Sequence, residues 1–238
     1  NDMILTAHQP NYLPNMGFFY KMNQAHIFVV ITNLQFEKGE GWQRRHKILG
    51  PHGDIWLTVP IKGSKMVNIK DVEIFNGKNW RNRHAQTLRM AYRHTREREF
   101  LKQLVSIYEK KWDKLYDLNF TIIKFMKDFL EIPTKLVLDD EVCGRKQKLF
   151  INMCKKYGAS TFLSGMGAKD YMTEEFILDM KRNKVGHEFV KRNVTAGYPY
   201  CAAHYILTEG KDWVKEIIKK DAAEKFSQPA LGTLPRSV

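Results

Sequence analysis

MILTAHQPNYLPNMGFFYKMNQAHIFVVI, residues 3–31, decides the fold of this 238-residue chain. A short apolar segment at 4–7 predicts a buried strand, and two prolines then interrupt regular structure in the polar turn that follows it. The apolar spacing over 16–25 predicts an amphipathic helix, and the β-branched and aromatic run 27–31 predicts a second strand. A strand–helix–strand unit of this kind is typical of a parallel sheet.

The polar turn between the first strand and the helix is the first candidate site. His8, Gln9, Asn11 and Tyr12 follow the strand directly. In open α/β sheets, ligands bind at the carboxyl ends of strands and beside helix N-termini with free N–H groups. A capping role within the turn explains the same residues without any ligand.

A second stretch, TFLSGMGAKDY at 161–171, repeats this pattern. A predicted strand runs into a small-residue turn, and a helix is predicted from about Tyr171 with Asp170 as its N-cap. Gly165 and Gly167 would let a ligand approach backbone N–H groups, and Lys169 supplies positive charge. Both polar turns are therefore expected at the carboxyl edge of one sheet, with Ser164 at the end of its strand.

A third candidate lies after the glycine-rich segment 39–41, where Trp42 precedes Gln43, Arg44 and Arg45. Arginine is well suited to bidentate contact with a phosphate or carboxylate. A strand that starts in solvent would carry the same residues. Gln35 precedes this loop, and Lys62 ends a later predicted strand.

The remaining pattern alternates strands with helices. We predict a hairpin of 45–49 with 54–60, a buried strand at 55–62, and short strands at 69–74, 135–138 and 188–190. We predict helices at 79–92, 99–115, 119–130, 145–157, 203–206 and 211–225. The fold class is therefore α/β: a three-layer, Rossmann-like domain at 3–226 with a mostly parallel sheet, a helical insertion at about 78–130 and a flexible tail at 227–238.

Charge indicates a class of partner. The chain carries a formal net charge of +13, and residues 81–130 hold 12 basic and 6 acidic side chains. A concentrated basic face attracts polyanions such as nucleic acid, although a solvated surface or a small anionic substrate would also account for it. The candidate nucleic-acid-binding residues are Arg81, Arg83, Arg89, Arg93 and Arg96.

Several classes of chemistry are not supported. The three cysteines are widely spaced and have no nearby histidine pairs, which argues against structural zinc and for free thiols in a reducing compartment. No Walker loop, nucleophile elbow or zincin motif is present, and no apolar run approaches the ~20 residues that span a bilayer. We expect no metal, no cofactor and no membrane partner, and a cytoplasmic location, in the host if the chain is viral.

The motifs together resemble the WbqC-like family. The resemblance rests on HQPNYLP at 8–14 with GFFYKM at 17–22, on QFEK and WQRR at 35–45, on WLTVPI at 56–61, on IKDVEI at 69–74, and on FLSGMGAKDY at 162–171. It covers most of residues 3–205. The family pattern near the second turn is closer to LSGPGG[RK]DY, so Met166 and Ala168 depart from it.

The resemblance implies a transferase of bacterial surface-polysaccharide gene clusters or of viruses. Amino-acid:DNA transferases of phage DNA hypermodification are similar to this family. In them, the amine of an amino acid displaces an activated group from the 5-methylene of a modified uracil. On that reading, DNA with an activated pyrimidine and a glycine-like amine are the substrates.

The residue roles follow from that reaction. Arg44, Arg45 and Lys169 would bind anions, and His8 would act as the general base. Asp170 is the alternative base. The residues expected to contact substrate are Gln9, Asn11, Tyr12, Gln35, Gln43, Arg44, Arg45, Lys62, Ser164, Gly165, Gly167, Lys169 and Tyr171.

Two other functions fit the same sequence. One is a transferase that modifies a nucleotide-linked sugar for surface polysaccharide, and the other is a non-catalytic nucleic-acid-binding module. The sequence leaves open the amine donor, the leaving group and the oligomeric state.

Overall fold

A computed structural model describes residues 2–36, 41–63 and 66–219. The predicted tail at 227–238 and the end of the last predicted helix lie outside these residues. The strands are β1 (Ile4–His8), β2 (Ile27–Ile31), β3 (Arg45–Gly50), β4 (Gly53–Thr58), β5 (Lys135–Asp139), β6 (Thr161–Ser164) and β7 (Gly186–Phe189). The helices are α1 (Met16–Asn23), α2 (Trp80–Ala91), α3 (Arg98–Ile107), α4 (Leu115–Phe129), α5 (Gln147–Tyr157), α6 (Glu174–Arg182), α7 (Ala202–Glu209) and α8 (Lys211–Lys219).

The centre of the molecule is a five-stranded, all-parallel sheet in the order β5-β2-β1-β6-β7. The β2 strand is buried along its whole length, as expected for a parallel strand covered on both faces. This sheet, flanked by helices, confirms the predicted Rossmann-like α/β fold class.

Side-chain alternation in the strands divides the core into two apolar layers. Phe28 and Val30 face α1, α7 and α8, and the same layer includes the buried faces of α2, α3 and α4. Ile27 and Val29 point the other way, toward α5 and α6. Helices α2, α3 and α4, which we call the helical insertion, therefore share one hydrophobic core with the sheet and the C-terminal helices.

Four sequence-based expectations about elements were wrong. Residues 69–74 form a 3₁₀ turn at Ile69–Asp71 and no strand, because the backbone N–H groups of Ile69 and Lys70 bond to the carbonyls of Leu34 and Thr32. The strand expected at 55–62 is neither that long nor buried, because β4 ends at Thr58 and belongs to a two-stranded hairpin with one face in solvent.

The other two corrections concern helix ends. The helix expected at 99–115 ends at Ile107, and the next one starts at Leu115. The helix after the glycine turn begins at Glu174, because the Thr173 hydroxyl oxygen accepts a hydrogen bond from the Phe176 N–H, so Asp170 is not its N-cap.

Buried histidines make the stability of this fold sensitive to acid. Burial lowers the pKa of His46, His84 and His204 to about 4, against an ordinary value of 6.5. Between pH 6.5 and 4 these histidines are therefore protonated in the unfolded chain but neutral in the folded one. The free energy of unfolding falls as the pH falls through this range.

We expect the urea midpoint to drop steadily from pH 7 to pH 5, with each histidine costing up to about 1 kcal/mol per pH unit in this range. The variant His204→Gln, which keeps a polar partner for the Tyr92 hydroxyl, should show a shallower drop than the wild type. A midpoint that stays constant from pH 7 to pH 5 would contradict the assignment.

Candidate functional site: a crevice where the sheet reverses direction

The order of the strands creates a crevice beside β1 and β6. These two strands are neighbours, and the Thr6 hydroxyl ties them by donating to the Leu163 carbonyl over 2.7 Å. The helix after β1 packs on one face of the sheet, and the helix after β6 packs on the other. Where the helices that follow two neighbouring strands lie on opposite faces of the sheet, a ligand-binding crevice opens at the carboxyl ends of those strands.

Two cavities occupy this crevice. The apolar cavity has a volume of about 390 Å³. Its walls are Ala7, His8, Gln9, Lys21, Ile31, Leu34, Leu149, Phe150, Met153, Phe162, Leu163, Ser164, Gly165, Gly167 and Ala168. The aromatic rings of Phe150 and Phe162 stack with centroids 3.9 Å apart. The chemistry of this wall suits a planar, largely apolar group.

The polar cavity has a volume of about 210 Å³ and lies on the α1 side of the sheet. Its walls are His8, Asn15, Gly17, Phe18, Tyr20, Lys21, Gly165, Met166, Gly167, Val190, Arg192, Asn193, Val194 and Thr195. The Arg192 guanidinium lies over the Tyr20 ring at 4.7 Å and donates to the Ile217 carbonyl over 2.6 Å. Side chains of this kind suit a small polar or anionic group.

The two cavities share His8, Lys21, Gly165 and Gly167. His8 ends β1, and its Nδ1 lies 2.9 Å from the Gln9 carbonyl. A carbonyl oxygen only accepts, so Nδ1 carries the proton and Nε2 is left with a lone pair. Burial, reinforced by nearby Lys21, lowers the pKa of His8 to about 3, so the ring is neutral at physiological pH.

Lys21 is the feature of this crevice that sequence patterns did not single out. It lies on α1, and its Nζ donates to the Ala7 carbonyl over 2.9 Å. Burial lowers the pKa of Lys21 to about 7, so a large share of the amine is unprotonated near neutral pH. A lysine in an amphipathic helix is normally expected on the surface. Its position in the wall of the crevice becomes evident only from the structure, in which β1 pairs with β6.

The glycine turn closes the crevice from the β6 side. A Cβ atom added to Gly165 or Gly167 would meet no other atom within 4 Å. Glycine is therefore not required there by packing, and the bare backbone leaves room for a ligand. Ser164 lies beside them in the wall, and its hydroxyl is 2.9 Å from Nε2 of His187.

Gln9 and Gln43 connect the crevice to the start of the β3–β4 hairpin. Gln43 is buried, and its Nε2 donates to Oε1 of Gln9 over 2.5 Å. The structure thus brings together His8, Gln9, Ser164, Gly165 and Gly167 around the cavities, with Gln43 behind Gln9. This convergence includes the two polar turns that the sequence indicated.

Tyr12 and Asn11 lie elsewhere. The Tyr12 hydroxyl is fully buried, 2.8 Å from Nδ1 of His84 and 2.5 Å from the Tyr108 hydroxyl. The next residue, Leu13, is buried with φ of 44°, a left-handed conformation that costs a non-glycine residue about 1 kcal/mol. Tyr12 anchors the turn to the helical insertion, and neither Asn11 nor Tyr12 lines either cavity.

The remaining predicted site residues that the structure describes do not line either cavity. Gln35 and Lys62 are exposed, and Lys62 forms an ion pair with Glu73 at 3.0 Å. Arg45 begins β3 and Arg44 precedes it, and both lie outside the two cavity walls. Lys169 is exposed near the crevice, with its Nζ 5.2 Å from the Phe189 ring centroid. The side chains of Asp170 and Tyr171 are outside the described part of the structure.

The predicted nucleic-acid-binding arginines lie on α2 and the segment after it. Arg83, Arg89, Arg93 and Arg96 are exposed. Arg81 is half-buried and donates to the Glu109 carbonyl over 3.2 Å. None of the exposed four lines either cavity of the crevice.

Within the described residues, no cluster of three or more histidine, cysteine, aspartate or glutamate side chains could hold a metal ion. Over the same part of the chain, no helix combines the length and the apolar character needed to cross a membrane.

The fold and the crevice define a doubly wound α/β protein whose candidate active site lies at the reversal of the sheet. The chain belongs to the WbqC-like protein family, which matches residues 9–208. It is 28% identical over 172 residues to the uncharacterized protein Rv1507c of Mycobacterium tuberculosis, an alignment covering 70% of this chain and 74% of that protein. No solved structure matches the chain. Family membership supports a biosynthetic or modification function, loosely associated with transferase activity.

Alanine substitutions at two glycines of the crevice distinguish a glycine required by packing from one that borders open space. A Cβ on Gly17 would lie 2.1 Å from Oγ1 and 3.3 Å from the backbone nitrogen of Thr195, whereas one on Gly165 meets open space. We expect Gly17→Ala to lower the free energy of unfolding by about 1–3 kcal/mol and Gly165→Ala to change it by less than about 0.5 kcal/mol, as measured by urea denaturation.

The double variant Gly17→Ala with Thr195→Ala removes the closest clashing atom and should recover part of the loss. Equal losses from Gly17→Ala and Gly165→Ala would contradict the idea that Gly165 is kept open for a ligand.

Proposed function

We propose that this protein is a transferase that joins the amine of an amino acid to the activated 5-methylene carbon of a modified pyrimidine in DNA. The observation that carries the proposal is the pair of unlike cavities that share His8 and Lys21. A reaction between two substrates needs two adjoining binding places with the reacting atoms held at their junction.

The chemistry of the walls suggests which substrate each cavity takes. The apolar cavity, with Phe150 and Phe162, suits the pyrimidine ring. The polar cavity, with Asn15, Asn193 and Arg192, suits the amino acid and its carboxylate. Its smaller volume favours a small donor such as glycine.

The reaction has a simple balance of bonds. The amine nitrogen forms a bond to the methylene carbon while the carbon–oxygen bond to the phosphate or pyrophosphate breaks, and the leaving group keeps the electron pair. The amine must lose a proton in the process, so a proton acceptor is needed beside it.

Lys21 fits the role of proton acceptor better than His8 does. A general base works best when its pKa lies near the operating pH, and burial brings the pKa of Lys21 to about 7 but that of His8 to about 3. We therefore assign proton acceptance to Lys21 and positioning of the amine to His8, through its free Nε2.

The charge of the chain supports a polymeric anionic substrate. The net charge is +13, and Arg83, Arg89, Arg93 and Arg96 are exposed on one segment. Such a surface attracts the phosphate backbone through the release of counterions.

The direct test is product formation. Purified protein is incubated with labelled glycine and DNA that carries a phosphorylated or pyrophosphorylated 5-hydroxymethyl pyrimidine, and the digested nucleosides are analysed by mass spectrometry. We expect an amino-acid adduct that is absent with unactivated 5-hydroxymethyl DNA. No adduct from any amino acid would contradict the proposal, and a product from a nucleotide-linked sugar would favour the polysaccharide function instead.

Lys21→Met should separate catalysis from stability. We expect the wild-type kcat/KM to rise with pH through a pKa near 7. The kcat/KM of Lys21→Met should be lower than that of the wild type by a factor of at least about 100, in keeping with the contribution of a general base. The exposed Lys102→Met is the matched control and should retain wild-type turnover.

The same variant should be more stable than the wild type below pH 7, because it no longer buries a charged amine. From pH 7 toward 10.5 the folded protein holds Lys21 neutral while the unfolded chain keeps it protonated, so wild-type stability rises and the difference shrinks. Thermal melts of both proteins between about pH 6 and pH 10 measure the difference in melting temperature. A Lys21→Met protein that is fully active would exclude the assigned role.

A further inference from the structure

The outward face of the β3–β4 hairpin carries two exposed tryptophans. Lys47 pairs with Trp56 across the strands, so the two side chains share a face, while His46 and Leu57 point into the core. Trp56 is 44% exposed, and Trp42, just before β3, is 41% exposed. Large aromatic side chains left in solvent next to one another indicate a binding surface.

Cations accompany the two rings. The planes of Trp42 and Trp56 differ by only 19°, with centroids 6.1 Å apart. The Arg45 guanidinium lies 4.6 Å from the centroid of Trp56, and Lys47 Nζ lies 5.9 Å from it. We call Trp42, Trp56, Arg45 and Lys47 the tryptophan platform.

Contacts beneath the platform hold it in place. Lys47 forms an ion pair with Asp54 at 2.7 Å, and the Tyr200 hydroxyl donates to the same carboxylate over 3.0 Å. The Trp42 ring lies 4.6 Å from that of His46, which is buried. Rings fixed in this way lose little freedom when a ligand stacks on them.

Hydrogen bonds link the platform to the turn that leads into the crevice. Trp42 is followed in the chain by Gln43, whose amide donates to Gln9, the neighbour of His8. The Trp42 carbonyl also accepts the Tyr12 N–H over 2.9 Å. The platform and the crevice are therefore held by the same turn of the chain.

We propose that the tryptophan platform binds unpaired bases of single-stranded DNA, which stack on Trp42 and Trp56 while their phosphates contact Arg45 and Lys47. Stacking on aromatic rings in a basic setting is how proteins hold single strands without reading sequence. The guanidinium and ammonium groups beside the rings favour a polyanion over a neutral sugar chain.

This inference rests on the proposed function for its biological setting, because the target pyrimidine must leave the duplex to enter the apolar cavity. Flanking bases that are unpaired at the same time would be held by the platform. The binding itself involves neither the cavities nor the activated group.

The experiment measures, by fluorescence anisotropy, the affinity of the full 238-residue protein for a short, unmodified, labelled oligothymidylate. We expect Trp56→Ala and Trp42→Ala each to weaken binding about 5- to 100-fold, and the corresponding phenylalanine variants to keep most of the affinity. Leu178→Ala, which removes an apolar side chain that is 50% exposed on α6, is the control and should bind as the wild type does.

Wild-type affinity in both alanine variants would overturn the inference, as would absence of oligothymidylate binding by the wild type. Binding of a neutral oligosaccharide that is lost in Trp56→Ala, with DNA affinity unchanged, would assign the platform to carbohydrate and overturn it as well.

The two proposals fail separately. Lys21→Met should bind oligothymidylate like the wild type. If the platform variants lose binding but no adduct ever forms, the platform stands and the transferase fails. If adducts form and Trp56→Ala leaves both KM for DNA and oligothymidylate affinity unchanged, the transferase stands and the platform fails.

Discussion

The rest of the structure depends on how the helical insertion holds the turn after β1. The Asn119 side-chain amide donates to the carbonyls of Pro10 and Gln43 over 2.8 and 2.7 Å, and both hydrogen bonds are buried. The Tyr12 hydroxyl is held between His84 and Tyr108. Buried backbone groups in a turn with two prolines have no ladder partners, so side chains from the insertion must supply them. His8 and Gln9 are held at the crevice because Pro10 and Tyr12, which follow them, are fixed by these hydrogen bonds.

That anchoring explains the unusual electrostatics of the crevice. His8 and Lys21 are partly buried at the junction of the two cavities, and this burial disfavours the charged form of each. A fold rarely retains two basic groups in such a place for stability, since an apolar pair would cost less. Their position at the junction of the two cavities is the basis on which we propose a chemical role for them.

Local patterns predicted the parts of the structure that depend on neighbours in the chain. The pairing of a strand with a polar turn identified His8 and Gly165, and parallel packing brought both to one edge. Lys21 could not be found this way, because its environment is created by β6, far along the sequence. The exposure of Trp56 was missed for a related reason: the apolar run at 55–61 looks like a core strand, and only the two-stranded hairpin shows that one face is uncovered.

The bond from Thr6 to Leu163 joins residues 157 positions apart, and it closes the sheet at the crevice. Contacts of such long range form slowly, because bringing distant parts of the chain together costs loop-closure entropy before any contact compensates for it. The crevice between β1 and β6 is therefore expected to be among the last features to assemble. During synthesis, the turn after β1 leaves the ribosome well before the glycine turn after β6, so the crevice can form only once the later segment docks beside the earlier one.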